Sequence, residues 1–204
     1  MELPQHWPLP EAAVLRDALE AAYADPSRHY HDRRHLAEVL ERLDELAGAG
    51  VGFGRVAVTL AAWFHDAVYD GERDAEERSA VWAEDALADL CPDEVVAEVA
   101  RLVRMTENHD PAADDENGCA LSDADLGILA AATARYDDYA AAVRAEYDHL
   151  TEDEFRLGRA IVLRGLLERE WLFQTAYARR EWEPLARSNI ARELAALEAR
   201  FTNR

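Results

Sequence analysis

Apolar residues recur along this chain at the spacing of amphipathic helices, and nowhere with the alternation of a strand bounded by turns. Behind Pro10, residues 11–23 carry Val14, Leu15, Ala18, Leu19 and Ala22 at helical spacing, with acids in the first turn. Asp25-Pro26-Ser27 ends that helix. A second is predicted over about 32–47, with Leu36, Val39, Leu40, Leu43 and Leu46 as its buried stripe. The glycines of 48–54 do not fall in the G-x-G-x-x-G spacing and follow no strand, so the segment reads as a helix connection. From Val56 to Phe64 only Thr59 is polar, and the run stops abruptly at His65-Asp66.

Asp70-Gly71 reads as a turn, after which 75–87 resumes the helical period, with Glu76 and Glu77 in an exposed first turn. Pro92 opens a helix through Val95, Val96, Val99, Leu102, Val103 and Met105, ending near 108–111. Residues 112–118 are acidic and loop-like, and Ser122 to Asp125 is predicted to cap the apolar stretch 126–132. Further helices are expected over about 136–150, 152–173 and 184–201. There is no repeat of fixed period. The pattern predicts an all-α fold of about eight to ten helices in a single domain spanning 1–204, with the tryptophans and leucine stripes in its core.

Composition narrows what such a domain does. With 204 residues and 50% hydrophobic content, the chain supports one well-buried core. The apolar run is too short to cross a bilayer, and Met1 to Pro8 lacks the basic flank and apolar core of a signal peptide, so a cytoplasmic protein is expected. Cys91 and Cys119 fit two inert thiols in a reducing compartment. Against 42 acids stand 22 basic residues, a formal charge of −20 that repels long nucleic acids and anionic membranes. A small phosphorylated ligand stays compatible, because a metal and a few arginines reverse the local potential within a cleft. Every basic residue is arginine, which excludes Schiff-base chemistry, a pyridoxal-phosphate anchor and a phosphate-loop lysine.

The chemical anomaly is the pair at the end of the buried run. An unpaired buried carboxylate costs several kcal/mol or is neutralised, whereas a cation satisfies His65 and Asp66 together. His35, His65, Asp66 and Asp125 are the candidate metal ligands, with Asp123 as a helix cap beside the last. Mixed imidazole and carboxylate donors suit a divalent metal ion (Mn²⁺, Fe²⁺, Co²⁺, Ni²⁺ or Zn²⁺, with Mg²⁺ also admitted), and the lack of cysteine argues against a structural zinc cage. Neighbours on a helix diverge by about 100°, so His65 and Asp66 share one ion only if it sits over the helix edge between them. His29, His109 and His149 are read as structural, with a second metal or a phosphate as the alternative.

The order His35, His65-Asp66, Asp125 in an all-helical chain resembles the HD superfamily of metal-dependent phosphohydrolases over roughly 29–129, the helices of 133–201 completing the domain. Tyr30-His31-Asp32-Arg33-Arg34-His35-Leu36 is similar to a helix of cyclic-nucleotide phosphodiesterases, where a Tyr-His pair stands four residues before the first metal histidine. With Trp63 to Asp70 and Asp74 to Ala80, the whole chain is similar to a small bacterial group of predicted HD phosphohydrolases. The resemblance implies phosphoester hydrolysis, and by the phosphodiesterase analogy His31 is the general acid. The family's guanosine-tetraphosphate hydrolases carry Glu-Asp where this chain has Tyr69-Asp70; Asp70 is still a candidate to orient or activate water. A phosphate dianion needs donors, and Arg144 and Arg159 are the candidates, being in apolar-rich helices. The expected partner is a small phosphorylated substrate, foremost a nucleotide, with no long nucleic acid and no membrane; a homo-oligomer is left open. The alternative function is a catalytically silent sensor that binds a nucleotide in the same pocket, and a helical interaction protein is the third reading.

Overall fold

The computed structural model describes residues 3–202, so the first two residues of the stretch weighed as a signal peptide lie outside it. Ten α-helices occur among the described residues, with no strand. They are α1 (Ala13–Tyr23), α2 (Arg33–Gly48), α3 (Arg55–Phe64), α4 (Ala75–Leu87), α5 (Asp93–Met105), α6 (Glu116–Asp125), α7 (Thr133–Glu146), α8 (Glu152–Glu168), α9 (Ala176–Glu181) and α10 (Glu183–Thr202). Short 3-10 turns at Leu3–His6 and Leu126–Ala130 precede α1 and follow α6. No helix among the described residues is long and apolar enough to cross a membrane.

The apolar run becomes the central helix. In α3, Val58, Leu60, Ala61, Ala62, Trp63 and Phe64 are all buried, because α2, α5 and α6 pack around it and α4 in turn packs on α5. At about 1.5–3 kcal/mol for each large apolar side chain taken from water, this burial anchors α3 and with it the residues that follow. Leu36, Val39, Leu40, Leu43 and Leu46 of α2 are buried as their period predicts. One contiguous core continues through Val99, Leu102 and Val103 of α5 to Phe173, Trp182 and Ile190.

Several boundaries differ from the sequence reading, each for a local reason. Val14 is 85% exposed; the buried positions of α1 are Leu19 and Tyr23. The acidic stretch 112–118 is no simple loop, since Asp115 caps α6 by accepting the Gly118 N–H, and Ser122 to Asp125 lie inside that helix instead of capping the next. Helix α8 stops at Glu168 instead of running to 173. Carboxylates from elsewhere take the amides that would extend it: Glu183 accepts the N–H groups of Leu172 and Phe173, and Asp123 those of Gln174 and Thr175. Asp123 thus caps a remote segment, not its own helix. Trp171, in that segment, is 42% exposed and departs from the expectation of a core tryptophan.

Candidate metal centre

Helix α2 begins at its cap, where Asp32 Oδ1 accepts the N–H groups of Arg34 at 2.8 Å and His35 at 3.2 Å. That fixes the first turn and points the buried His35 ring inward. Helix α3 ends at Phe64, and His65 is its C-terminal cap residue, donating its N–H to Ala61 O at 2.9 Å. Asp66 already lies past the helix. His65 keeps a helical backbone (φ −55°, ψ −39°), and the helical ladder is left only at the turn that begins with the Asp66 N–H, yet both side chains reach the same cluster. Tyr23 and Arg28 hold that turn. The Asp66 N–H donates to Tyr23 Oη at 3.2 Å, and Arg28 donates to the carbonyls of Asp66 at 2.6 Å, Ala67 at 2.9 Å and His31 at 3.1 Å.

These constraints converge the donor atoms. His35 Nε2 and His65 Nε2 are 3.0 Å apart, and Asp66 Oδ2 lies 3.0 Å from the latter and 3.3 Å from the former. Asp125, the last residue of α6, brings Oδ1 to 3.1 Å from His35 Nε2 and 3.6 Å from His65 Nε2. Donors held about 2.1 Å from one ion stand about 3.0 Å apart at octahedral angles and about 3.4 Å apart at tetrahedral ones. His35, His65 and Asp66 form a largely buried group whose donor atoms could hold a metal ion; Asp125 reaches the two histidines but is not part of that group.

The tautomer supports the fit. His65 Nδ1 is 2.7 Å from Ala62 O, so Nδ1 carries the proton and the Nε2 lone pair points into the cluster. A lone pair 3.0 Å from a carboxylate oxygen requires a cation or a second proton between them. The proton affinities report the same field. Burial on its own would lower both imidazoles, but the hydrogen bonds and charges of Asp125 and Asp66 raise His35 to about 10 and raise His65 as well. Burial would push both carboxyls up, yet the adjoining imidazoles hold Asp66 and Asp125 below the usual carboxylate range.

His31 stands beside the cluster, outside α2, its ring 5.7 Å from that of His35. Its Nδ1 lies 2.7 Å from Glu146 Oε2, and its ring stacks on Tyr69 at 4.1 Å between centroids. Glu146, the last residue of α7, also accepts the N–H groups of His29, Tyr30 and His31 on Oε1 and the Tyr69 hydroxyl on Oε2. Sequence reasoning missed Glu146 and Arg28, since nothing in either's neighbourhood departs from an ordinary polar surface. It also read His109 as structural, but its Nε2 lies 3.4 Å from Asp125 Oδ2 while Nδ1 meets Ser122 Oγ at 3.2 Å. A positive φ of 50° at His109 was the structural signal, and no sequence feature announces it.

Three other expected site residues are engaged elsewhere. Asp70 is half-exposed and held by Arg78 through bonds of 2.9 and 2.5 Å, a surface pair apart from the donor cluster. Arg144 donates to Tyr147 O, Leu150 O and Glu152, closing the C-terminus of its own helix. Arg159 is paired with Glu193 at 2.8 Å and donates to Tyr139 Oη, and it lines a cavity together with Tyr30 and His31. Of the histidines read as structural, His29 is exposed and His149 lines a cavity with Tyr69 and Glu146. Both cysteines are free, and burial pushes the Cys119 thiol up to about 11, in keeping with inert thiols. No protein-family model, curated protein or solved structure matches this chain.

Proposed function

We propose that the chain is a metal-dependent phosphohydrolase of the HD type, acting on a nucleotide or a related small phosphoester. The observation that carries this reading is the convergence of His35, His65 and Asp66 at ion-ligand spacing, with Asp125 against both histidines and His31 beside the cluster. A divalent ion bound there supplies a nucleophile at neutral pH and Lewis acidity toward a phosphoryl oxygen; Mn²⁺, Fe²⁺, Co²⁺, Ni²⁺, Zn²⁺ and Mg²⁺ are the candidates.

The chain's own groups do the rest. Glu146 accepts the Nδ1–H of His31; in the imidazolium form of the ring, Nε2–H would give its proton to the leaving oxygen and return the ring to the neutral Nδ1–H tautomer. Arg28 ties the carbonyl of His31 to those of Asp66 and Ala67, so the acid and the ligand turn keep a fixed separation. The test is metal analysis of the purified chain and of Asp66→Ala, followed by a phosphate-release screen over nucleotides and phosphoesters with each candidate ion. About one divalent ion per chain, lost together with phosphate release in the variant, is the expected result. A metal-free wild type with full turnover sinks the proposal, and tight nucleotide binding with no turnover across the screen favours the sensor instead.

A further inference from the structure

His109 has the donor cluster on one side and a second feature on the other. A cavity of about 840 Å³ opens there, lined by Asn108, His109, Arg169, Trp171, Gln174 and Arg179, among others. Its volume is that of a small-molecule site. Arg169 donates only to the carbonyls of His109 and Asn108, each at 3.3 Å. Arg179 donates to Phe173 O at 2.8 Å and Gln174 Oε1 at 3.3 Å. Among the described residues no carboxylate forms an ion pair with either arginine, although the chain carries 42 acids against 22 bases. The buried Asp123 feels the charge of Arg179, but its oxygens are taken by the Gln174 and Thr175 amides. Asp110 and Glu170 line the same cavity, but both are exposed to solvent.

The wall is built, not merely left over. The segment that bears Arg169 and Trp171 is non-helical, and charged groups, the buried Glu183 and Asp123 and the partly exposed Arg187, hold its backbone from both sides. Glu183 and Asp123 take the four amides of 172–175, and Arg187 donates to the carbonyls of Arg169 at 2.8 Å and Glu170 at 2.9 Å. That rigid frame presents Trp171 with the Arg179 guanidinium 5.2 Å over its ring and 42% of the residue open to solvent. The left-handed backbone at His109 places its ring against Asp125 and its carbonyl on Arg169, so the cavity and the cluster share one residue as their partition.

We propose that this cavity binds the non-reacting part of a nucleotide: a base or ribose against Trp171, and a phosphate other than the one presented to the cluster on Arg169 and Arg179. The guanidinium forks match phosphate, and the exposed part of the Trp171 indole, beside the Arg179 guanidinium that lies over its ring, offers an aromatic surface for a base. The two carboxylates at the rim lessen the attraction for bare phosphate, so ring and anion are needed together. Which phosphate reacts rests on the phosphohydrolase reading; that the cavity binds does not.

The test is calorimetric titration of the full-length chain with ADP, its methylene-bridged analogue, adenosine and inorganic phosphate, for wild type, Trp171→Ala and Arg169→Gln with Arg179→Gln. Circular dichroism verifies the fold, and because Trp171 is exposed its variant keeps the proposal testable if the arginine variant unfolds. The expected result is ADP binding at least tenfold tighter than adenosine or phosphate alone, weakened at least tenfold by Trp171→Ala and by the arginine pair, with metal content unchanged. Equal affinity of ADP for wild type and Trp171→Ala, or no saturable binding of any probe, overturns it. Turnover of nucleotides with KM unmoved by these variants also overturns it while leaving the phosphohydrolase reading intact. Cavity-dependent binding without phosphate release upholds the cavity and removes that reading.

Discussion

Glu146→Gln tests the frame around His31. In the native chain two carboxylate oxygens accept five hydrogen bonds: the amides of His29, Tyr30 and His31 at 3.0, 2.7 and 2.9 Å on Oε1, with His31 Nδ1 at 2.7 Å and the Tyr69 hydroxyl at 3.2 Å on Oε2. The variant amide oxygen can keep the first three only as neutral bonds, roughly half as strong as charge-assisted ones. The amide nitrogen then faces the His31 Nδ1–H donor against donor. His31 must change tautomer or swing away.

The magnitude follows from the carboxyl's own acidity. Burial would raise Glu146, but the His31 hydrogen bond and charge and the Tyr30 and His31 amides bring it from 4.5 down to about 2. Its side chain is only 3% exposed, so solvent screening takes little from that preference. A displacement of that size corresponds to about 3 kcal/mol. Because the folded pKa is depressed, the contribution is complete above the unfolded carboxyl pKa and is lost as pH falls through the folded value. Urea unfolding of wild type and variant should therefore differ by about 3 kcal/mol at pH 7, a midpoint shift of roughly 1.5 M for a slope of about 2 kcal/mol/M. The difference should shrink below about pH 4.5 and vanish near pH 2. Nitrogen chemical shifts of the His31 ring should report the tautomer change. Equal midpoints at pH 7, or a difference that does not close on acidification, would refute the account of Glu146.

Stripping divalent ions with a chelator should lower the melting temperature, and restoring an ion to a hundredfold its Kd should return about 2.7 kcal/mol of stability; superimposable melting curves would count against a metal at the cluster. Asp70→Ala should leave melting temperature, metal content and phosphate release close to wild type, since Asp70 belongs to an exposed pair with Arg78; loss of metal would return Asp70 to the site. Gly118→Ala should destabilise by about 1–3 kcal/mol, an overpacking cost. A Cβ there would collide with the Asp115 carboxylate and stand 2.9 Å from Pro111 Cβ, displacing the cap of the helix that carries Asp125. An unchanged melting temperature would show that the cap can give way freely.

Periodicity revealed those helices whose fate is decided by their own residues. In α2 and α3 the apolar stripe, the cap at Asp32 and the stop after Phe64 are all local. It failed where distant groups decide. The sequence from Glu152 to Phe173 keeps a helical period, and what ends α8 early is the carboxylate of Glu183 together with Asp123, 51 and 52 residues from the amides it accepts. Likewise Asp115 claimed the start of α6, though Gly118 in its first turn favours a loop on propensity.

The same division separates the candidate ligands from the residues that hold them. His35, His65, Asp66 and Asp125 stand out because ionisable groups beside apolar runs are an anomaly that only burial chemistry explains. Glu146 lies 115 residues from His31, in a stretch where its neighbour Arg144 stood out instead, as a candidate phosphate donor. Nothing local distinguishes the two. What distinguishes them is position: α7 ends at Glu146, where its carboxylate meets three amides left without helical partners, whereas Arg144 folds back on its own helix. Charged groups recur in this role, with Glu146, Glu183 and Asp123 on amides, and Arg28 and the partly exposed Arg187 on carbonyls. Each acts on a segment between helices, and the segments so fixed bear His31, Asp66, Arg169 and Trp171. His35 and Asp125 are placed by the helices that carry them, whereas the groups in the bends are placed by the charges that satisfy the backbone there.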